Sequence, residues 1–310
     1  MSYIIEIENL TKDYEVGFWK KKKVRALESL TLNVERGQIF GFLGANGAGK
    51  TTTIKILMRL MFPTAGAARI LGYDIADVKM HARIGYCPEN PYFYDYLTAR
   101  ELMNYFAEIF GYNAEERKLR TEDLLTKVGL EEKSWNKQLR KFSKGMLQRV
   151  ALAQSLINDP EIVFLDEPMS GLDPVGRREV RELIAGLRDK GVTVFMSTHI
   201  LSDIEVLCDR VAILRKGKLA ATGTLDELRS QHNEQPSFEI SVSGTTAEKL
   251  SSAINLTGAI VSATPGGARI EVVDEKDVDA AIAAIRQTGG KLISVQPVRQ
   301  SLEDLFVMNN

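Results

Sequence analysis

Eight consecutive residues, Gly44-Ala45-Asn46-Gly47-Ala48-Gly49-Lys50-Thr51, fit the spacing G-x-x-x-x-G-K-[ST]. Glycines at these positions let the backbone curl until successive N–H groups face an anion. A helix starting at the end of the loop adds its positive pole. The lysine meets the β- and γ-phosphates of a bound nucleotide, and the threonine hydroxyl reaches Mg²⁺. Gly44, Asn46, Gly47, Ala48, Gly49, Lys50, Thr51 and Thr52 are therefore the candidate phosphate-binding residues. A second group follows further on, where the apolar run Ile162-Val163-Phe164-Leu165 ends in Asp166-Glu167. Asp166 is placed to hold Mg²⁺, and Glu167 to orient or deprotonate an attacking water. Alone, Asp-Glu after a strand reads equally well as a solvated turn; beside the phosphate loop it reads as chemistry.

These residues need a frame that brings their loops together. Gln38–Leu43 is a short apolar run entering the phosphate loop, consistent with a buried strand. A helical stretch follows to about Met61 and ends at Pro63-Thr64-Ala65-Gly66. Ile162–Leu165 and Val192–Met196 read as strands on either side of a helix over 174–189. Strand, helix, strand at this spacing is a βαβ crossover, so a parallel sheet is expected, with ligands at the carboxyl ends of its strands. Alternating stretches at 3–10 and 30–34 read as half-buried strands, joined through a polar interruption that contains Trp19 and Lys20-Lys21-Lys22-Lys23. Residues 98–157 are mostly helical in pattern, with breaks near 111–113 and 133–138. After a polar linker at 229–236, residues 238–242, 246–254, 260–263, 268–273, 275–288 and 292–295 read as β-α-β-β-α-β, the order of a ferredoxin-like domain.

Composition removes several classes. The chain has 310 residues, 44% hydrophobic and 26% charged, with a net charge of −1. That is ordinary globular composition at a length that fits about two domains. Near-neutral charge argues against a nucleic-acid binder. So does the acidic balance of residues 236–310, which also lack the aromatic sheet motif of an RNA-binding domain. Two cysteines, Cys87 and Cys208, make no disulfide framework. No apolar run is long enough to span a bilayer, and the N-terminus has no signal-peptide pattern. A soluble, intracellular protein is the expectation.

Four further segments make the resemblance specific. Phe142-Ser143-Lys144-Gly145-Met146-Leu147-Gln148-Arg149 resembles the signature motif of the ATP-binding-cassette (ABC) ATPases. Ser170-Gly171-Leu172-Asp173 resembles their D-loop, His199 their switch histidine and Tyr14 their A-loop aromatic. The motifs occur in the family's order over residues 14–199. The resemblance implies an α/β phosphate-loop ATPase cassette over 1–230, with a helical subdomain at about 90–157 and an accessory α+β domain over 236–310. It implies ATP and Mg²⁺ as cofactors. Two cassettes, a homodimer, would close over two ATPs, with Ser143 and Gly145 serving the nucleotide held by the other copy and Asp173 a further nucleotide-binding candidate. Tyr14 would stack on adenine, and His199 would meet the γ-phosphate. His81 and His232 have no such context and are expected at the surface.

Two departures from the family pattern matter. Lys144 and Met146 replace the usual Gly and Gln of the signature. Glu89 stands where the Q-loop glutamine would be, within Ile84-Gly85-Tyr86-Cys87-Pro88-Glu89-Asn90. At about 4 Å and an effective dielectric of about 20, one added charge is worth roughly 4 kcal/mol. That charge is attractive near Mg²⁺ and repulsive near the γ-phosphate alone, so Glu89 joins Thr51 and Asp166 as a candidate metal contact.

The chain carries one phosphate loop, and only 93 positions separate Lys50 from Ser143. The single loop argues against a two-cassette chain, and the spacing leaves no room for a long coiled-coil insertion. The resemblance then implies the ATPase subunit of a transporter, of bacterial drug- or antibiotic-exporter type. It would work at the inner face of the membrane with a separate multi-spanning permease and without nucleic acid. A soluble ATPase switch with no permease is the alternative. The aromatics of Pro91–Thr98 either receive the permease or pack their own subdomain. Lys20–Lys23 is either a solvated hairpin tip or a contact with anionic lipid.

Overall fold

A computed structural model describes residues 3–17, 22–230, 237–254, 256 and 258–298. The chain divides into two units, residues 1–228 and 229–310. The first runs β1 (Tyr3–Val16), β2 (Lys22–Glu35), β3 (Ile39–Leu43), α1 (Lys50–Leu57), β4 (Ala65–Ile70), β5 (Tyr73–Asp74), β6 (Ile84–Cys87), α2 (Ala99–Ile109), α3 (Ala114–Lys127), α4 (Lys144–Ser155) and β7 (Ile162–Asp166). It continues through α5 (Pro174–Asp189), β8 (Thr193–Thr198), α6 (Leu201–Leu207), β9 (Arg210–Arg215) and β10 (Lys218–Gly223), and ends within α7 (Leu225–Ser230).

Strands β3, β7 and β8 have apolar centres because both their faces are covered, and each is buried along its whole length. Among the described residues they lie in a six-stranded sheet of order β10-β9-β3-β8-β7-β6, parallel except for the antiparallel edge strand β10. On one face Phe195 packs against Phe40, Phe42 and Phe164, with ring centroids 5.2–5.6 Å apart. That aromatic layer belongs to a core shared with α1 and a second, antiparallel sheet of order β2-β1-β4-β5.

The first hairpin is longer than its alternation predicts, because residues read as a polar interruption continue both strands. Asp13 lies opposite Arg25, whose guanidinium makes two hydrogen bonds to its carboxylate, at 2.8 and 3.2 Å. Such cross-strand pairs let a strand continue through polar sequence. Lys22 and Lys23 are in β2; Trp19, Lys20 and Lys21 lie outside the described residues, as do residues 231–236 of the expected linker.

Helix α1 stops at Leu57, earlier than its periodicity suggests, where Arg59 turns to a left-handed φ of 56°. Helices α2, α3 and α4 fill the expected helical segment. α2 and α3 are started by capping boxes, Thr98 with Glu101 and Asn113 with Glu116.

The second unit runs β11 (Ser237–Ser243), α8 (Ala247–Ala253), β12 (Ile260–Thr264), β13 (Gly267–Val272), α9 (Glu275–Gln287) and β14 (Lys291–Val298). Its antiparallel sheet has the order β12-β13-β11-β14, the ferredoxin-like arrangement that the β-α-β-β-α-β reading predicts. Ile240, Val242, Leu250, Ile270, Val272 and Ile285 form its core.

Candidate active site

The register of the parallel sheet carries the candidate residues to one edge. Leu43 is the partner of Thr198, Asp166 of Ser197, and Cys87 of Leu165. The phosphate loop after β3, the carboxylates at the end of β7, His199 after β8 and Glu89 after β6 therefore all leave the sheet at its carboxyl end, where open α/β sheets bind ligands.

Gly49 precedes α1 at φ 109°, and a β-carbon there would lie 2.7 Å from the carbonyl oxygen of Ala26. Only glycine satisfies both the conformation and the approach. No side chain caps α1 and no acid sits in its first turn. Its first backbone N–H groups are thus left for an outside acceptor. Lys50 is buried, with Nζ donating to the Gly44 carbonyl at 2.6 Å and lying 3.5 Å from Glu167 Oε1.

Glu167 is a non-glycine residue at a left-handed φ of 50°, a conformation that costs energy and is held by its surroundings. Its backbone N–H donates to the carbonyl of Ser197 at 3.1 Å and lies 3.3 Å from Ser197 Oγ. Its Oε1 lies 2.9 Å from His199 Nδ1. Asp166 is 1% exposed and accepts a hydrogen bond from the Ser197 hydroxyl. Burial pushes the Cys87 thiol and the Tyr86 hydroxyl well above their ordinary values, and the charge of Asp166 adds to both. Ser197 is a contact of both candidate carboxylates that motif reading passes over; its position opposite Asp166 on the neighbouring strand is the signal.

Tyr14 is half-buried, its hydroxyl 3.2 Å from Thr52 Oγ1 and 3.0 Å from Met61 Sδ. The Lys12 ammonium lies 5.4 Å from its ring centroid. The structure therefore brings together Tyr14, Lys50, Thr52, Asp166, Glu167 and His199 with the loop 44–51. Glu89 is half-buried two residues past β6, and among the described residues no hydrogen bond or ion pair joins it to Thr51 or Asp166.

Among the described residues no hydrogen bond or ion pair joins Ser143, Gly145 or Asp173 to the loop 44–51. Ser143 caps α4, its hydroxyl accepting from the Met146 N–H at 3.2 Å. Asp173 caps α5, accepting from the Gly176 N–H at 2.9 Å. His81 is half-buried rather than on the surface, its ring nitrogens 3.2 and 3.4 Å from the carbonyls of Val78 and Met58. His232 lies outside the described residues.

The Asp166 carboxylate and the Thr51 hydroxyl both offer oxygen donors, the kind that suits Mg²⁺. The lysine, the uncapped helix and the glycine loop suit a polyphosphate, and the strained carboxylate suits activation of water. These features define a phosphate-loop nucleotide hydrolase.

Comparison with known proteins narrows the class. The family described as ABC transporter matches residues 27–170, and the family described as ATP-binding protein DrrA1-3-like, C-terminal domain, matches 223–309. An uncharacterised ABC transporter ATP-binding protein of Synechocystis is 43% identical over 98% of this chain and 84% of its own. The bacitracin transport ATP-binding protein of Enterococcus faecalis is 33% identical over 99% of this chain and 96% of its own. Among solved structures, a dimeric ATP-binding cassette in a post-hydrolysis state with ADP and Pi is 28% identical. It has a TM-score of 0.66 and covers 71% of this chain and 98% of its own. The chain belongs to the ATP-binding proteins of ABC transporters, and its cassette is an ATPase. Among the described residues no helix is long and apolar enough to cross a membrane.

Proposed function

We propose that this chain is the ATPase subunit of an exporter, working at the cytoplasmic face of the membrane on a separate multi-spanning permease. The observation that carries the reading is the convergence of Lys50 and His199 on the carboxylate of Glu167 at the mouth of the phosphate loop. The loop 44–51 and Lys50 bind the phosphates of ATP, and Tyr14 takes the adenine. Thr51 and Asp166 hold Mg²⁺, with Glu89 as a further contact; when bound, the ion neutralises charge on the β- and γ-phosphates. Glu167 orients and deprotonates the attacking water, and His199 fixes that carboxylate and meets the γ-phosphate.

Two copies pair face to face, so that Ser143, Gly145 and Asp173 complete the nucleotide site of the other copy. ATP favours the closed pair by binding it more tightly than the open one, and hydrolysis reverses that preference. The dimeric cassettes among the solved relatives support this arrangement.

The aromatics after the Q-loop support a docking role. Tyr92, Tyr94 and Tyr96 are 96%, 54% and 60% exposed. Their segment is braced by Arg140 N–H to the Asp95 carbonyl at 2.9 Å and Leu139 N–H to the Leu97 carbonyl at 2.8 Å. Exposed aromatics on a braced loop are interface anchors. The test is a photo-crosslinking residue at Tyr92 in cells. An adduct with an integral membrane protein supports the permease; adducts with soluble proteins alone return the reading to a soluble ATPase switch.

A further inference from the structure

Lys144 opens α4, whose first turn holds no acidic residue. A cation at the positive end of a helix is unfavourable there, so helix stability does not explain this residue. Its contacts do. The stem of Lys144 lies across Gly171: a β-carbon on Gly171 would stand 2.8, 3.0 and 3.2 Å from Lys144 Cδ, Cε and Nζ. One residue further along each segment, a β-carbon on Gly145 would stand 3.3 Å from Leu172 Cδ2.

Further down the same helix, Arg149 pairs with Glu179 of α5 at 2.6 Å. The N-terminal half of α4 is thus seated on residues 171–179. That segment begins in the turn that carries Glu167, where the Ser170 N–H donates to the Glu167 carbonyl at 3.0 Å.

We propose that Lys144 is a positioning residue. Through its stem on Gly171 it ties the signature segment, which serves one nucleotide, to the turn bearing Glu167, which serves the other. The two sites of a closed pair are coupled through this contact. This rests on the face-to-face pairing proposed above. The aliphatic stem carries the role, and the charge does not.

The test uses the full chain and a double-mutant cycle of Lys144→Gly and Gly171→Ala, with Lys144→Met as the conservative variant. The β-carbon of Gly171→Ala displaces the flexible end of Lys144 and, because Gly171 holds a left-handed φ of 74°, also strains the turn itself, so Lys144→Gly against Lys144→Met carries the test of the stem. ATP hydrolysis is measured against ATP concentration. Each single substitution is expected to raise half-saturating ATP about tenfold and to bring the Hill coefficient to about 1, with kcat within about twofold. The double variant is expected to be no worse than Gly171→Ala alone, and Lys144→Met to keep the parent's cooperativity. Hydrogen exchange without nucleotide is the second readout. Amides of 169–173 are expected to exchange about tenfold faster in Lys144→Gly and at the parent rate in Lys144→Met.

Additive effects in a cooperative parent overturn the role of Lys144 and leave the pairing standing. A parent Hill coefficient of 1 overturns the pairing and the coupling together. Unchanged exchange in Lys144→Gly overturns the contact whatever the turnover.

Discussion

Glu167 Oε1 lies 2.9 Å from His199 Nδ1 and 3.5 Å from Lys50 Nζ, so one carboxylate oxygen faces both the imidazole after β8 and the cation of the phosphate loop. A carboxylate only accepts hydrogen bonds, so this contact places the imidazole proton on Nδ1 and leaves Nε2 for a second partner. On the proposed function, phosphate arriving at the loop would compete for Lys50 and leave His199 to orient Glu167.

His199→Ala is therefore expected to lower kcat by about 100-fold while ATP affinity changes by less than about threefold, the pattern of a transition-state contact. Phosphate release and nucleotide-binding fluorescence separate the two quantities. An equal loss in both would place His199 in ground-state binding instead.

Ser197 serves both carboxylates, donating its hydroxyl to Asp166 and lying 3.3 Å from the backbone nitrogen of Glu167. A hydrogen bond to a charged group is worth about 1.5–3 kcal/mol. Ser197→Ala is expected to cut turnover about tenfold and to raise the Mg²⁺ concentration needed for half-maximal rate. A magnesium titration of the variant checks both effects.

The carboxyl-end convergence was legible in the sequence because three apolar runs each end in a polar, chemistry-bearing residue. Phe42-Leu43 leads to the phosphate loop, Phe164-Leu165 to Asp166, and Phe195-Met196 towards His199. The helix over 174–189 is legible because Asp173 caps it and Pro174 stands at its first position. What was not legible depends on neighbours distant in sequence. Asp13 and Arg25 look like loop residues until they face each other across a hairpin. The end of α1 is set by the backbone turn at Arg59. Ser197 gains its role only from the register that puts it beside Asp166, and Lys144 gains its contact only because Gly171 lacks a side chain.

Cys87 and Cys208 are both buried and free, and burial raises both thiols. In the folded chain they stay protonated, whereas in the unfolded chain they ionise from about pH 8.5. Their contribution to stability is therefore complete below that value and is lost progressively as pH rises above it. Iodoacetamide at pH 8 is expected to leave both unmodified in the native chain and to alkylate both in denaturant, as read by intact mass. Rapid native labelling of Cys87 would contradict the buried contact of its Sγ with Gln148 Nε2 at 3.7 Å.

Sedimentation of Glu167→Gln with and without Mg-ATP tests the paired-cassette reading most directly. The amide keeps the shape of the site and removes the base, so bound ATP persists and the closed pair accumulates. The predicted result is a monomer without nucleotide and a dimer with Mg-ATP, with the parent chain returning to monomer as its ATP is consumed. A monomer under both conditions, with ATP bound, would contradict the roles of Ser143 and Gly145 across the pair.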